Sequence, residues 1–218
     1  MKRIYNIHWK EGKNMDKTNS NENENEKNNN KNERSGMRNR LLGLTYTALF
    51  TAVIAVCSQI QIPLGPVPFT LQTLGICIAA GILGLKRGFL SVLVYVILGA
   101  VGVPVFAGFS GGVGCITGPT GGYITGFLFT GLAVGLFADL FGKKVWSLTV
   151  GMVVGILICY VFGTAWFVIV SGQNGNSMDI MTALGYCVFP FLLPDAAKII
   201  ASVILVNRID AVVKPKVS

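Results

Sequence analysis

Long apolar stretches alternate with short polar interruptions along most of the chain. Six of these stretches have a length and composition that favour helices, and they cover residues 41–62, 70–85, 88–105, 122–142, 145–171 and 188–207. A helix rises about 1.5 Å per residue, and the hydrocarbon core of a bilayer is about 30 Å thick. Because the first stretch is uncharged over a length that crosses this core, the pattern predicts an all-α integral membrane protein with six transmembrane helices.

The basic residues between the apolar stretches lie on one side of the predicted membrane. With a cytoplasmic N-terminus, the inner segments hold the following basic residues: Arg38, Arg40, Lys86, Arg87, Lys143, Lys144, Arg208, Lys214 and Lys216. The outer loops, at about residues 63–69, 106–121 and 172–187, contain no Lys or Arg. Since cytoplasmic loops are enriched in basic residues, this distribution predicts that both the N- and C-termini are cytoplasmic.

The first 38 residues differ in composition from the rest of the chain. Residues 19–32 are mostly Asn with interspersed Glu, Ser and Lys. Such a segment cannot bury enough apolar surface to offset the entropy lost on ordering. We therefore predict a disordered, Asn-rich cytoplasmic tail over residues 1–38 and a six-helix transmembrane domain over residues 39–218. The tail lacks the apolar core of a signal peptide, so we expect the first apolar stretch to remain in the protein.

Composition and charge argue against several classes of protein. Hydrophobic residues make up 52% of the chain and charged residues 13%, a balance that favours lipid-embedded helices. Although the formal net charge is +8, no basic face with interleaved aromatic residues is present, so nucleic-acid binding is not predicted. His8 is the single histidine and the five cysteines form no CxxC pair, so we predict no metal site. The apolar stretches place no nucleophile beside a base and the chain has no Walker motif, so neither an enzyme nor an ATPase is predicted.

Two ionisable residues, Asp195 and Lys198, lie within the last apolar stretch. Ionisable groups inside a membrane are costly, and they usually face a cavity or one another. Residues three apart share one face of a helix, and at helical rise Asp195 lies roughly 20 Å from Arg208, in the outer half of the bilayer. Because Pro194 suits the first turn of a helix, we expect Asp195 to lie near the unpaired N–H groups of a helix start. The pair is interpreted either as an anchor for a polar ligand or as an ion pair that helps helices to pack.

Two predicted outer segments carry the remaining polar candidates. The glycine-rich loop at 108–122 lacks the lysine of a P-loop and the spacing of a dinucleotide fingerprint, so it is not interpreted as a phosphate site. The proline-rich crossing at 59–73 is expected to be stiff and extended. It presents four uncharged hydrogen-bonding side chains: Gln59, Gln61, Thr70 and Gln72. Together with the Asp195–Lys198 pair, these segments predict one outward-facing pocket, although the glycine-rich loop also fits a merely flexible connection.

Small residues recur at four-residue spacing along the first predicted helix. One stripe holds Gly43, Thr47, Thr51 and Ala55, and the adjacent stripe holds Ala48 and Ala52. Small side chains allow helices to approach closely in lipid. The stripes are interpreted either as internal packing faces or as a contact with another subunit.

Four motifs, spread in order over residues 40–210, resemble the BioY family. They are IPLGPVPFTLQTLG at 62–75, LGAVGVPVF at 98–106, GPTGGY at 118–123 and PDAAK at 194–198. The family comprises the biotin-specific substrate-binding (S) components of energy-coupling-factor (ECF) transporters. The resemblance implies a multi-pass protein of the bacterial plasma membrane that captures biotin from outside, with no cofactor. It also implies partners, namely a transmembrane coupling subunit and two cytoplasmic ATPase subunits.

The resemblance further implies roles for individual residues. The binding Asp and Lys of the family correspond to Asp195 and Lys198, and its tyrosine after the glycine-rich loop corresponds to Tyr123. The small-residue motif that contacts the coupling subunit in this family corresponds to Ala48 and Ala52.

Biotin has a ureido ring with two N–H donors, an apolar sulfur-containing ring and a carboxylate. We expect Asp195 to accept hydrogen bonds from the ureido group and Lys198 to bind the carboxylate or to stabilise Asp195, and the opposite orientation of biotin stays open. Further candidates for the pocket wall are Phe69, Phe106, Thr70, Gln72, Thr117 and Thr120. Two alternatives remain, an S component for another vitamin such as riboflavin or thiamine, and a membrane assembly protein that binds no small molecule.

Overall fold

The structure is a computed structural model, and it describes residues 2–62, 67–173 and 179–217, with side chains described over 31–62, 67–173 and 179–211. Pro63 and Pro66, which were expected to stiffen the outer crossing, lie outside the described residues. The chain divides into two compact units, Met1–Leu44 and Thr45–Ser218.

Helices account for nearly all of the described chain. In chain order they are α1 (Lys2–Gln59), α2 (Gln72–Val101), a 3₁₀ turn (Ala107–Phe109), α3 (Val113–Thr117), α4 (Gly121–Phe141), α5 (Val145–Gln173), α6 (Ile180–Cys187) and α7 (Phe189–Val217). Between α1 and α2 a short antiparallel pair joins β1 (Gln61–Ile62) to β2 (Phe69–Thr70). The predicted all-helical class is therefore confirmed.

Five helical segments of the described chain are long and apolar enough to cross a membrane. They are Lys31–Gln59, Gln72–Val101, Gly121–Phe141, Val145–Gln173 and Ile180–Ala211. The sequence predicts six crossings, and the difference lies in α2, which covers most of two predicted stretches, 70–85 and 88–105. The count therefore depends on whether α2 crosses once or twice.

The chain reverses direction within α2, at Gly84. This residue has φ 75° and ψ −172°, which is not helical. The Cβ position of Gly88 lies only 2.6 Å from the Cα of Ala80. Residues eight apart in a continuous helix are separated by about 12 Å, so the two arms of α2, residues 72–83 and 85–101, fold against each other.

Helix α1 includes the Asn-rich segment for which the sequence predicts disorder. Residues 31–41 are all exposed, so core packing does not stabilise this part of the helix. Asn, Ser and Gly also have low helix propensity. The disorder of residues 1–38, and their separation from a domain at 39–218, stay predictions.

Close packing between α4 and α5 depends on small residues. The Cβ position of Gly126 lies 2.9 Å from the sulfur of Cys159, and that of Gly155 lies 3.0 Å from Thr130. The buried Thr130 hydroxyl has one proton to donate and lies within hydrogen-bond distance of two carbonyl oxygens, those of Gly126 at 3.1 Å and Gly155 at 2.9 Å. Small residues and interhelical hydrogen bonds of this kind allow helices to associate in lipid, where apolar surface alone gives no preference for protein over lipid tails.

An ion pair joins the α4–α5 link to α7. The ammonium of Lys143 lies 2.6 Å from the Oδ1 of Asp210 and donates to the carbonyl oxygen of Ile82 at 2.5 Å. Nearby, the carboxylate of Asp139 accepts a hydrogen bond from the backbone N–H of Leu85 at 3.0 Å. These contacts fix the reversal at Gly84 to the ends of α4 and α7.

Candidate functional site

A cavity of about 200 Å³ lies within the second unit. Its wall is formed by the chain around β2 and the start of α2, the loop after α2, the first turns of α4, the middle of α5, the end of α6 and the first turns of α7. Most of the lining side chains are apolar. A small number of polar groups in a mostly apolar cavity is typical of a site for a small organic molecule.

Asp195 and Lys198 lie side by side in the wall of this cavity. They are three residues apart on α7, and the Nζ of Lys198 lies 2.8 Å from the Oδ1 of Asp195. Asp195 is only 5% exposed and Lys198 only 7%. A buried charge is tolerated when it is paired and hydrogen-bonded, and this pair meets both conditions.

Residues from β2, α2 and α5 complete the environment of the ion pair. Tyr160 donates a hydrogen bond to the Oδ2 of Asp195. Lys198 donates to the hydroxyl of Thr73 at 3.1 Å and lies 4.0 Å from the ring centroid of Phe69. An ammonium over an aromatic face is stabilised by the ring quadrupole. The three N–H donors of Lys198 therefore face a carboxylate, a hydroxyl and an aromatic ring.

The position of Asp195 along its helix differs from the prediction. Helix α7 begins at Phe189, so Pro190 occupies the first turn and Asp195 lies in the second turn. Proline suits the first turn because its missing N–H would have no helical partner there. The expected position of Asp195 beside the unpaired N–H groups of a helix start was wrong, and the carboxylate is satisfied by side chains instead.

Thr70 and Gln72 line the cavity, and a chain of hydrogen bonds holds them in place. Thr70 donates to the Oε1 of Gln72 at 2.8 Å, and the Nε2 of Gln72 donates to the hydroxyl of Tyr95 at 2.6 Å. Tyr95 is fully buried and donates in turn to the carbonyl oxygen of Val105 at 3.2 Å. The Gln72 amide therefore joins the two arms of α2, and the Tyr95 hydroxyl joins them to the loop that follows α2.

Tyr123 reaches the cavity from α4. Its hydroxyl donates to the carbonyl oxygen of Cys187 at 3.4 Å and lies 3.5 Å from the hydroxyl of Thr164. Its ring lies where a Cβ on Gly163 would be placed. Glycine at 163 thus allows Tyr123 to lie between α4, α5 and the end of α6.

The predicted aromatic residue of the loop after α2 also lies in the wall. Phe106 is 2% exposed and packs edge-on against Tyr95, with ring centroids 5.5 Å apart. Its ring occupies the place of a Cβ on Gly99, so only glycine at 99 leaves room for it.

The other predicted wall residues differ in position. Thr120 lines the cavity. Phe69 lies behind the wall, under Lys198 and stacked on Phe191 at 6.3 Å between centroids. Thr117 does not reach the cavity, because its exposed hydroxyl donates to the carbonyl oxygen of Val113 within α3.

Tyr160, Thr73 and Phe191 are among the cavity residues that sequence reasoning did not single out. A hydroxyl-bearing aromatic residue in the middle of the very apolar α5 is a signal that could have indicated Tyr160. Among the described residues, no group of three or more His, Cys, Asp or Glu could hold a metal ion.

The two small-residue stripes of α1 have different environments in the second unit. Thr47 and Thr51 are buried, and the Thr51 hydroxyl donates to the carbonyl oxygen of Ser91 at 3.0 Å. Ala48 and Ala52 are exposed. One stripe therefore packs internally against the second arm of α2, while the other leaves an open face of small side chains.

Comparisons with known proteins agree with one another. The model of the BioY family matches residues 27–215. A probable biotin transporter BioY from Pyrococcus horikoshii is 42% identical over 167 residues, which cover 77% of this chain and 95% of the relative. The biotin transporter BioY from Thermotoga maritima is 41% identical over 166 residues, which cover 76% of this chain and 94% of the relative.

A solved structure shares the fold. It is the crystal structure at 2.1 Å of the S-component for biotin from an ECF-type ABC transporter, and it superposes with a TM-score of 0.70. The two sequences are 32% identical, and the match covers 78% of this chain and 91% of the solved chain. The named relatives are transporters, in agreement with the prediction that the chain is not an enzyme.

Proposed function

Since the chain belongs to the BioY family, we propose that it captures biotin for uptake, as the membrane-embedded S component of an ECF transporter in the plasma membrane. The observation that carries this proposal is the ion pair of Asp195 and Lys198, buried in the wall of an apolar cavity and joined by Tyr160. Biotin is the transported substrate and not a cofactor.

The cavity offers a polar group for the ureido ring of biotin and apolar side chains for its sulfur-containing ring. Each oxygen of a carboxylate has two lone pairs. Because Lys198 and Tyr160 each use one oxygen of Asp195, each oxygen retains a direction in which it can accept a ureido N–H. Apolar side chains such as Phe106 and Phe191 line the remaining space, where the sulfur-containing ring is expected to pack.

Lys198 supports this assignment because its ammonium forms an ion pair with Asp195. A charged acceptor forms stronger hydrogen bonds than a neutral one. The ammonium already faces Asp195, Thr73 and Phe69, so a biotin carboxylate at Lys198 would have to displace one of them. We therefore assign the ureido end to Asp195. N-methylation of the ureido nitrogens removes the N–H donors and should abolish binding, whereas amidation of the biotin carboxylate should not. The opposite result would assign the carboxylate end of biotin to this ion pair.

Five further residues are proposed to form the binding pocket. Thr70, Gln72, Tyr123 and Thr120 line the cavity, and Phe69 contacts Lys198 from behind. Thr117 is not included, because its hydroxyl lies away from the cavity.

The topology proposed for this function has six membrane crossings with both termini in the cytoplasm. The reversal of the chain at Gly84 supports counting the two arms of α2 separately. Lys86, Arg87, Lys143 and Lys144 then lie at one membrane surface, as the positive-inside rule expects. Labelling of introduced cysteines tests this topology. A cysteine at position 86 should react only with a reagent on the cytoplasmic side, and one at position 110 only with a reagent on the outer side.

A transmembrane coupling subunit and two ATPase subunits are the proposed partners. The exposed Ala48 and Ala52 support a partner contact on α1, because small side chains allow a second helix to approach closely. Replacement of both alanines by leucine should abolish co-purification with the coupling subunit and leave biotin binding to the isolated chain intact.

Competition binding tests the choice of vitamin. Labelled biotin bound to the purified protein in detergent should be displaced by unlabelled biotin and not by riboflavin or thiamine. Displacement by either of the other vitamins, or no binding of biotin, would contradict the proposed function.

A further inference from the structure

We propose that Gln59 is a positioning residue that holds one wall of the cavity in place and thereby sets the rate at which the ligand leaves. The wall in question is the pocket loop, defined as residues 105–110. Gln59 is the last residue of α1. The inference rests on the proposed function, because biotin is the ligand whose release it concerns.

The side-chain amide of Gln59 bridges the pocket loop. Its Oε1 accepts a hydrogen bond from the backbone N–H of Phe109 at 2.9 Å. Its Nε2 lies within hydrogen-bond distance of the carbonyl oxygens of Phe106 and Val105, at 3.2 and 3.3 Å. One amide therefore connects the beginning of the loop to its far side.

The beginning of the loop has other restraints. The hydroxyls of Ser58 and Tyr95 both donate to the carbonyl oxygen of Val105, at 2.5 and 3.2 Å. These contacts stop at Val105. The far side, at Phe109, is reached by Gln59 alone among the side-chain hydrogen bonds of the described residues.

Phe109 has an unusual backbone conformation. Its φ is 55°, and it is the one non-glycine residue with positive φ in the described part of the chain. Its side chain is 72% exposed, so packing does not hold it there. Non-glycine residues persist in this region of φ when the surrounding structure fixes them. The Gln59 hydrogen bond to the N–H of this residue supplies that restraint.

The loop held in this way is part of the binding cavity. Phe106, Ala107 and Ser110 all line it, and Phe106 pairs with Ser110 across the turn. If the Gln59 contacts are lost, Phe109 is free to leave its strained conformation and the wall opens. The ligand would then enter and leave faster, with a smaller change in equilibrium affinity than in either rate.

The kinetic test uses Gln59→Met, which keeps the length of the side chain and removes its hydrogen bonds. We expect labelled biotin to dissociate from the purified full-length variant about tenfold faster, equivalent to about 1.4 kcal/mol in the barrier. Gln173→Met is the matched control, since Gln173 is exposed at the end of α5, lies outside the cavity wall and forms no side-chain hydrogen bond to the described residues; its dissociation rate should match that of the native protein. An unchanged dissociation rate in Gln59→Met would overturn the proposal.

A second measurement needs no ligand. Hydrogen exchange of the Phe109 amide should be faster in Gln59→Met, and it should remain slow in Gln59→Glu, which keeps an acceptor for this N–H. Native-like exchange in Gln59→Met would also overturn the proposal. Failure of the native protein to bind biotin would instead contradict the proposed function, and the exchange result would still decide whether Gln59 holds the loop.

Discussion

Tyr160 on α5 donates a hydrogen bond to the Oδ2 of Asp195 on α7, while the other oxygen of that carboxylate accepts from Lys198 at 2.8 Å. The carboxylate is therefore held from two helices. Its orientation in the cavity is fixed before a ligand arrives, and pre-organisation of this kind reduces the cost of ordering a site on binding.

Removal of the Tyr160 hydroxyl should weaken biotin binding without unfolding the protein. In Tyr160→Phe we expect affinity to fall about five- to tenfold, because one hydrogen bond that orients Asp195 contributes roughly 1–1.5 kcal/mol. Calorimetric titration in detergent measures this. Tyr186→Phe is the control, since Tyr186 is 50% exposed on α6 and outside the cavity wall. Equal affinity in Tyr160→Phe and the native protein would show that the hydroxyl has no role in binding.

Loss of the Lys198 charge should destabilise the protein as well as weaken binding. Lys198→Met leaves the buried Asp195 without its ion-pair partner, and breaking a buried pair in this way typically costs about 3–5 kcal/mol. The melting temperature should therefore fall markedly. The double variant Asp195→Asn/Lys198→Met should recover most of this stability, because no uncompensated charge remains, but it should not recover biotin binding. A double variant as unstable as Lys198→Met would contradict the ion-pair account.

Addition of a methyl group at Gly99 should displace Phe106 from the cavity wall. The Cβ of Gly99→Ala would overlap the Phe106 ring, so the free energy of unfolding should fall by roughly 1–3 kcal/mol, as expected on overpacking. Biotin affinity should fall as well, because the displaced ring is part of the cavity wall. The matched control is Gly185→Ala, another helical glycine, which has open space around its Cβ position. Thermal unfolding and titration of both variants decide the question, and a neutral Gly99→Ala would place the Phe106 ring elsewhere.

The ion pair of Lys143 and Asp210 should contribute to stability and not to ligand affinity. Both residues lie outside the cavity wall. Asp210→Asn removes a partly buried charged partner, so the melting temperature should fall by several degrees, consistent with a loss of about 1–3 kcal/mol. The dissociation constant for biotin should stay within twofold of the native value. A large loss of affinity with unchanged stability would show that this end of the protein is coupled to the cavity.

Helical periodicity explains why part of the site was predictable. Asp195 and Lys198 are three residues apart in one apolar stretch, so a shared helix face follows from the spacing alone. The partner of Asp195 on α5 does not follow, because sequence spacing does not determine how α5 and α7 are rotated about their axes. Tyr160 was missed for this reason.

Local backbone geometry explains the remaining differences. The charged pair at 86–87 indicated an interruption in the apolar pattern, and the chain does reverse nearby, at Gly84. The short helix α3 was not predicted, and its internal hydrogen bond keeps the Thr117 hydroxyl away from the cavity. The Gln59 contact with the pocket loop joins residues 50 positions apart, so only the folded chain reveals it.

Equilibrium binding of labelled biotin to the purified protein, without any partner subunit, tests the central role of Asp195 most directly. The native protein should bind biotin tightly and saturably. Asp195→Asn, which keeps the shape of the side chain, should weaken binding by about tenfold or more, since a hydrogen bond to a charged group contributes about 1.5–3 kcal/mol. Asp195→Ala should abolish tight binding; because it also leaves the buried Lys198 without its ion-pair partner, its melting temperature should fall, and binding is measured below that temperature on folded protein. Native affinity in Asp195→Ala would contradict the account and place the binding site elsewhere.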